Sequence, residues 1–233
     1  GAVPKALYTT HALQLGKDAL IFGNMQPYPP GMPLLVYFME ALSPTFSEGY
    51  IFVVYGIFFG AMLLPALRNL QWKHWPWILP LAILMAYVPC IFTSHGGDFA
   101  WFYESLFIDP VLGILAGYTF FLSATKPFAS RFSVYRFGAA LLVLTIIKDS
   151  GAMFALLAAM NAVILYAMDN KGRMKWKNGV CKVIQVLMPI AAGYGIWKYM
   201  LSIYGVSSNE AGFLRLGLSW ESITAMWKEL TQK

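Results

Sequence analysis

The stretch Leu141–Met160, LLVLTIIKDSGAMFALLAAM, decides how this chain is organised. It is apolar except for Lys148 and Asp149 and their small neighbours Ser150 and Gly151. A Lys–Asp pair in the middle of such a run needs a reason, because ionisable side chains are costly inside a membrane and mark functional positions there. The reason must come from how the surrounding segments are arranged.

Composition points to a membrane protein. The 233 residues are 58% hydrophobic and 12% charged, whereas a soluble domain has about 25% charged residues. Together with the long apolar runs, this predicts an all-α, polytopic transmembrane helical bundle with short interfacial helices, placed in the cell membrane with the lipid bilayer as its partner. The net charge of +6 comes from cations in short loops rather than from one basic patch, so no nucleic-acid partner is predicted.

Apolar runs mark the membrane segments. A spanning helix needs about 20 such residues, and five runs are long enough or nearly so: 50–67, 75–93, 110–125, 151–168 and 183–203. A shorter run covers 137–147. We therefore predict about six membrane helices within 47–206, between an extracytoplasmic segment with an interfacial helix at 1–46 and an extracytoplasmic amphipathic segment at 207–233.

Loop charge predicts the orientation. The loops 68–74, 126–136 and 169–182 contain ten of the seventeen Lys and Arg residues but a single acid, Asp169. Because cationic loops stay on the cytoplasmic side, these three loops are predicted to be cytoplasmic.

The chain must reverse direction inside the opening stretch. The loops on both sides of residues 137–168 are cationic, so both belong on the same side of the membrane. A single straight helix there would be roughly 48 Å long, against a hydrocarbon core of ~30 Å. The turn is predicted near Lys148–Gly151, with Gly151 permitting the turn and Asp149 or Ser150 capping the next helix.

The ascending arm of this hairpin is predicted to be short. From Arg136 to Lys148 it covers roughly 18 Å of helix, which would leave the Lys–Asp pair below the outer water interface and make it a candidate functional site. The alternative is a structural turn whose Lys148 side chain snorkels to the outer surface.

Two other segments face the same side. In NMQPYPPGMPLLVYFMEAL (24–42), prolines keep Tyr28 extended, and Pro33–Leu42 suits an interfacial helix; a plain rigid loop is the alternative. In TSHGGDFAWFYESLFIDPVLG (93–113), the ionisable residues are His95, Asp98, Glu104 and Asp109. They could bind Mg²⁺ or Mn²⁺ or act as a general base. The alternative is an aromatic interface belt with solvated acids, in which Asp109 caps the third span.

Three further features carry less weight. The tail 207–233 has an apolar helical face, and Lys198 is expected to snorkel. Gly56-x-x-x-Gly60 and Gly113-x-x-x-Gly117 predict helix packing within the chain, with association between copies as the alternative. The sequence has no Walker loop, GxGxxG, HExxH, GxSxG or CxxC motif.

Three motifs, in this order and on one side of the membrane, resemble the GT-C superfamily of integral-membrane glycosyltransferases, and the bacterial cell-surface branch is the most similar. They are YPPGMPLL (28–35), SLFIDPVLGILAGY (105–118) and LTIIKDSGAMFALL (144–157). The resemblance covers roughly residues 10–168. It implies transfer of a sugar from a polyprenyl-phosphate donor to a cell-surface glycan or lipid acceptor.

The resemblance also implies roles for residues. Lys148, paired with Asp149, would hold the donor phosphate, and His95, Asp98 and Asp109 would be the catalytic candidates on the acceptor side. Tyr28 and Glu104 would bind substrate, and a Mg²⁺ or Mn²⁺ requirement is left open. The family's catalytic acid follows a first membrane span that is missing here, so the resemblance implies that it lies upstream of residue 1, in a longer protein.

Two other functions fit the residues. In a transporter or channel subunit, the Lys148–Asp149 pair would be a relay or a counter-charge for the solute. In a non-catalytic membrane scaffold, it would be a structural turn.

Overall fold

The structure is a computed structural model that describes residues 2–13, 15–16, 19, 26–67, 108–170 and 176–206, with the isolated positions 71, 73, 76 and 79. These residues form seven α-helices and no strand, which confirms the all-α prediction for this part of the chain. The helices are α1 (Ala2–Thr10), α2 (Gly31–Glu40), α3 (Glu48–Leu67), α4 (Ile108–Ala124), α5 (Arg131–Ile147), α6 (Asp149–Asp169) and α7 (Trp176–Ile203). The tail 207–233 and, apart from positions 76 and 79, the run 75–93 lie outside the described residues.

The helix bounds follow the apolar runs except at two starts, because α7 begins at Trp176 rather than at 183 and α5 also begins earlier than predicted. Helix α5 begins at Arg131 rather than at 137, because the Ser130 side chain caps it by accepting a hydrogen bond from the Ser133 N–H at 3.1 Å. Its 17 residues cover about 25 Å, so the arm leading to Lys148 is longer than predicted. Helix α2 confirms the short helix predicted at Pro33–Leu42, whereas α1 was not predicted.

Helices α4 to α7 form an up-down-up-down bundle. Near one end, the Asn161 amide of α6 donates to the Ser123 hydroxyl of α4 at 2.7 Å. At the other end, the backbone of Gly151 in α6 lies against the Leu144 carbonyl of α5 and within reach of Leu112 of α4. Helices α4 and α6 therefore run in the same direction. Helix α5, which connects them along the chain, runs in the opposite direction.

Helix α7 runs parallel to α5 and packs along it. Gly138 of α5 faces Pro189 of α7, with 3.8 Å between a Cβ built on the glycine and the proline ring. One further turn along, Gly193 lies against Leu142 and Ile146. Pro189 is inside α7 and leaves a backbone carbonyl without its helical donor.

The core of the bundle combines bulky residues on α5 with small ones on α6. Phe137, Leu141 and Leu144 are fully buried. They face a stripe on α6 made of Ala155, Ala158, Ala159 and Ala162, which is buried too. Because these side chains end at Cβ, α6 can approach its neighbours closely, as small residues allow in membrane helix pairs.

The outer faces of α6 and α7 are apolar as well. These two helices have 21 and 28 residues, and their most apolar 18-residue windows have mean hydropathy 1.9 and 1.5, so by length and composition both could cross a membrane. Buried residues make up only 33% and 17% of their most apolar windows, unlike the core helix of a soluble protein. Exposed apolar side chains recur every three or four residues along α6, at Met153, Leu157, Met160, Ile164 and Met168, and Leu156 is exposed beside them.

The two ends of the bundle differ in charge. We call the end that contains residues 125–130 and the start of α7 the loop end. Its described residues include five cations, Lys126, Arg131, Arg136, Lys177 and Lys182, and one acid, Asp169. We call the opposite end, where α5 passes into α6, the turn end. The described residues of the loops 126–136 and 169–182, both predicted to be cytoplasmic, thus lie at the same end of the bundle.

Candidate functional site at the turn end

The turn between α5 and α6 consists of one residue. Helix α5 ends at Ile147, Lys148 is extended with φ −157° and ψ 154°, and α6 begins at Asp149. The Gly151 N–H donates to the Lys148 carbonyl at 2.8 Å. The predicted reversal is thus confirmed, but the predicted cap is wrong: Lys148 occupies the N-cap position, where its side chain does not cap the helix, and Asp149 and Ser150 are already helical.

Gly151 is required at this turn by close packing. A Cβ atom at this position would overlap the carbonyl oxygen of Leu144, one turn before the end of α5. The backbone φ of Gly151 is an ordinary helical one, so the requirement concerns space and not conformation. The glycine therefore lets two antiparallel helices meet with a single residue between them.

Asp149 is the electrostatic centre of the turn end. The positive charges of Lys198, on α7, and Lys148, on the turn, both act on its carboxyl group. All three side chains are half-buried. The Lys198 ammonium also lies 5.4 Å from the centre of the Tyr194 ring. One cation from the turn and one from α7 thus lie in the surroundings of one carboxyl group at this end of the bundle.

Sequence reasoning gave Lys198 a lesser role. Its position beside Trp197 and Tyr199 suggested a snorkelling side chain, because nothing in the local pattern connects residue 198 with residue 149. The one available signal was that both sites fall on the same predicted side of the membrane.

The proline-rich segment 26–31 closes the turn end from the side. The indole N–H of Trp197, which is buried, donates to the Pro27 carbonyl at 3.1 Å. A Cβ built on Gly31 would be 2.6 Å from the Ile146 carbonyl oxygen. The structure therefore brings this segment against α5 and α7 just before Lys148, while the Tyr28 side chain remains half exposed.

Glu40 is a buried acid that sequence reasoning missed. It lies at the end of α2, is 1% exposed, and accepts a hydrogen bond from the Ser47 N–H at 3.0 Å through Oε2. Its Oε1 atom has no hydrogen-bond partner within the described part of the chain. Met32, Val36 and Glu40 are spaced by four residues and form the buried face of α2. This helical spacing was the signal in the sequence that Glu40 would be buried.

Most of the predicted acceptor-side residues fall outside the described part. His95, Asp98 and Glu104 lie outside the described residues. Asp109 is the second residue of α4, so it lies inside the helix rather than at the predicted N-cap position. Its side chain is not among those that the structure describes. The first turn of α4 does lie at the turn end, because Leu112 approaches Gly151.

The described residues contain no group of three or more His, Cys, Asp or Glu side chains that could hold a metal ion. A Mg²⁺ or Mn²⁺ site stays a prediction that depends on His95, Asp98, Glu104 and Asp109. What the described residues do offer is two ammonium groups at one end of the bundle, and ammonium groups bind phosphate as point charges.

The predicted glycine contacts are not seen. No described atom lies within 4 Å of a Cβ built on Gly56, Gly60, Gly113 or Gly117. Within the described part of the chain, these four positions do not pack against another helix.

Comparisons with known proteins do not indicate a family or a function for this chain. No protein-family model, no curated protein and no solved structure matches this chain.

Proposed function

We propose that this chain is the membrane-embedded part of a glycosyltransferase that moves a sugar from a polyprenyl-phosphate donor to a cell-surface glycan or lipid acceptor. In this proposal the described helices belong to a multi-pass bundle, with the loop end in the cytoplasm and the turn end at the outer interface. The apolar outer faces of α6 and α7 and the five cations at the loop end support that placement.

One arrangement carries the proposal: the one-residue turn at Lys148 and the segment of α7 that holds Lys198 lie at the same end of the bundle, on either side of the segment 26–31 that contacts both, and both lysines act on Asp149 there. With the carboxylate ionised, the three groups have a net charge of +1. A glycosyl phosphodiester carries one negative charge, so the group complements the donor. Asp149 keeps the two ammonium groups at one place, which lowers the repulsion between them.

The chemistry favours such a group. During transfer, the bond between the anomeric carbon and the phosphate oxygen breaks, and its electron pair stays on the phosphate. The acceptor oxygen bonds to the anomeric carbon and gives its proton to a base, for which Asp98, Asp109 and His95 are candidates. Because the phosphate gains a negative charge, nearby ammonium groups stabilise the transition state more than the donor.

The proposal is tested by lipid binding. Purified chain in neutral detergent is titrated with undecaprenyl phosphate and, for comparison, with undecaprenol, which has the same tail but no charge. We expect preference for the phosphate, and weaker phosphate binding by about tenfold to a hundredfold in Lys148→Gln and in Lys198→Gln, because each removes a charged partner.

Lys177→Gln is the matched control, since it removes one exposed cation from the opposite end. Equal binding of the phosphate and the alcohol would refute the proposal. So would a Lys148→Gln and a Lys198→Gln protein that fold and bind the phosphate as the wild type does.

A further inference from the structure

The loop end contains a concave site of its own, at the opposite end of the bundle from Lys148. It is a cavity of about 270 Å³ between the end of α4, the 125–130 loop and the last turns of α6. Its wall contains the ring of Phe128, packed edge-on to Tyr166 with 5.2 Å between ring centres. Ser123, which is fully buried and bonded to Asn161, and the exposed Lys126 also line it.

The loop that forms this cavity holds Lys126 in an uncommon conformation. Its φ angle is +56°, in the left-handed region, which is unfavourable for side chains other than glycine and asparagine. The Ala129 N–H donates to the Lys126 carbonyl at 3.1 Å and closes the loop. The surrounding packing therefore holds the lysine at the rim of the cavity.

Positive charge dominates the surroundings of the cavity. Lys182 places its ammonium 5.2 Å from the centre of the Phe128 ring and donates a hydrogen bond to the Gln185 side chain at 3.1 Å, so it lies beside the wall that Phe128 and Lys126 help to form. Arg131, Arg136 and Lys177 are exposed at the same end. Asp169, which also lines the cavity, is the one acid among the described residues of the loop end.

An apolar surface continues from the cavity along α6. Leu165 is part of the cavity wall, and Ile164 and Met168 on the adjoining face are 52% and 66% exposed. A ligand that fits both features has an anionic head and an apolar tail. A free phosphate would leave the apolar surface uncovered, and an acidic soluble peptide would cover neither Ile164 nor Met168 with hydrocarbon.

We propose that this cavity binds the headgroup of an anionic phospholipid, with the lipid phosphate between Lys126 and Lys182 and an acyl chain along the exposed face of α6. Cations near an anionic lipid surface each contribute a modest favourable interaction, and basic pockets between membrane helices are suited to such headgroups. The inference requires a membrane setting for α6 but does not depend on sugar transfer.

The test is a titration of the purified chain in neutral-detergent micelles with fluorescent phosphatidylglycerol, and in parallel with fluorescent phosphatidylcholine. We expect tighter binding of phosphatidylglycerol, weakened about fivefold by Lys126→Asn and about fivefold by Lys182→Gln, since one cation is worth about 1 kcal/mol at an anionic lipid surface and tenfold is 1.4 kcal/mol. Asparagine is chosen at 126 because it tolerates positive φ.

Lys5→Gln is the matched control, because Lys5 is an exposed cation on α1 that does not line the cavity, and it should leave binding unchanged. Unfolding temperatures establish that each variant is folded. Equal affinity for the two lipids, equal weakening by Lys5→Gln, or displacement of phosphatidylglycerol by glycerol phosphate at matched concentration would each overturn the proposal.

Discussion

Replacing Gly151 by alanine should break the joint between α5 and α6. The added methyl group would meet the carbonyl oxygen of Leu144, which belongs to the helix backbone and cannot rotate away as a flexible side chain can. Either α5 or α6 must then shift along its length. Overpacking in a well-packed region costs about 1 to 3 kcal/mol, and occasionally more, and contact with backbone places Gly151→Ala at the upper end, at about 3 kcal/mol.

The measurement is the free energy of unfolding from a denaturant titration followed by circular dichroism. Gly117→Ala is the control, because it makes the same chemical change in helix α4 at a position where no described atom lies within 4 Å of the new methyl group. Helix propensity favours alanine over glycine by about 1 kcal/mol, so the control should be neutral or stabilising. The two variants should therefore differ by about 3 to 4 kcal/mol.

The reasoning fails if Gly151→Ala has the wild-type unfolding free energy and helix content. That outcome would mean that α5 and α6 do not meet at Leu144 and Gly151. A fall of equal size in Gly117→Ala would also refute it, because the loss would then belong to any glycine replacement in these helices.

Two further predictions concern hydrogen bonds that tie segments together. Trp197→Phe should lower the unfolding free energy by about 1 to 3 kcal/mol, because it leaves the buried Pro27 carbonyl without its donor, and hydrogen exchange should show faster opening at residues 26–31; unchanged exchange there would contradict it. In a double-mutant cycle, Asn161→Ala and Ser123→Ala should show a coupling of about 0.6 kcal/mol and no more than about 1.7 kcal/mol, the average and the maximum measured for side-chain hydrogen bonds between apolar helices in a membrane protein. Additive losses would show that the 2.7 Å bond contributes nothing.

The apolar runs and the loop charges predicted those parts of the fold that depend on neighbouring residues in the sequence. The apolar runs gave α3, α4 and α6 with bounds close to those of the structure, and the loop charges required the reversal at Lys148. The start of α5 was misplaced because charged and aromatic residues from Arg131 to Arg136 interrupt the apolar run, while the Ser130 cap begins the helix before it.

Contacts between distant parts of the chain could not be predicted in the same way. Nothing in the local sequence shows that Trp197 donates to Pro27, or that the charge of Lys198 acts on Asp149. Such pairs depend on how helices pack, and packing follows from side-chain shapes summed over several elements. The sequence thus predicted Lys148 and Asp149 as a candidate site at the turn. That Lys198 belongs to the same site could be seen only in the three-dimensional structure.

Pro189 gives α7 a mechanical property that a continuous helix would lack. A regular helix transmits a tilt along its whole length, whereas the missing donor at Pro189 leaves a weak point near the middle of these 28 residues. Lys182 lies before this point and Lys198 after it. A force on one segment of α7 can therefore bend the helix at Pro189 without moving the other segment, so the loop end and the turn end of α7 can shift independently of each other.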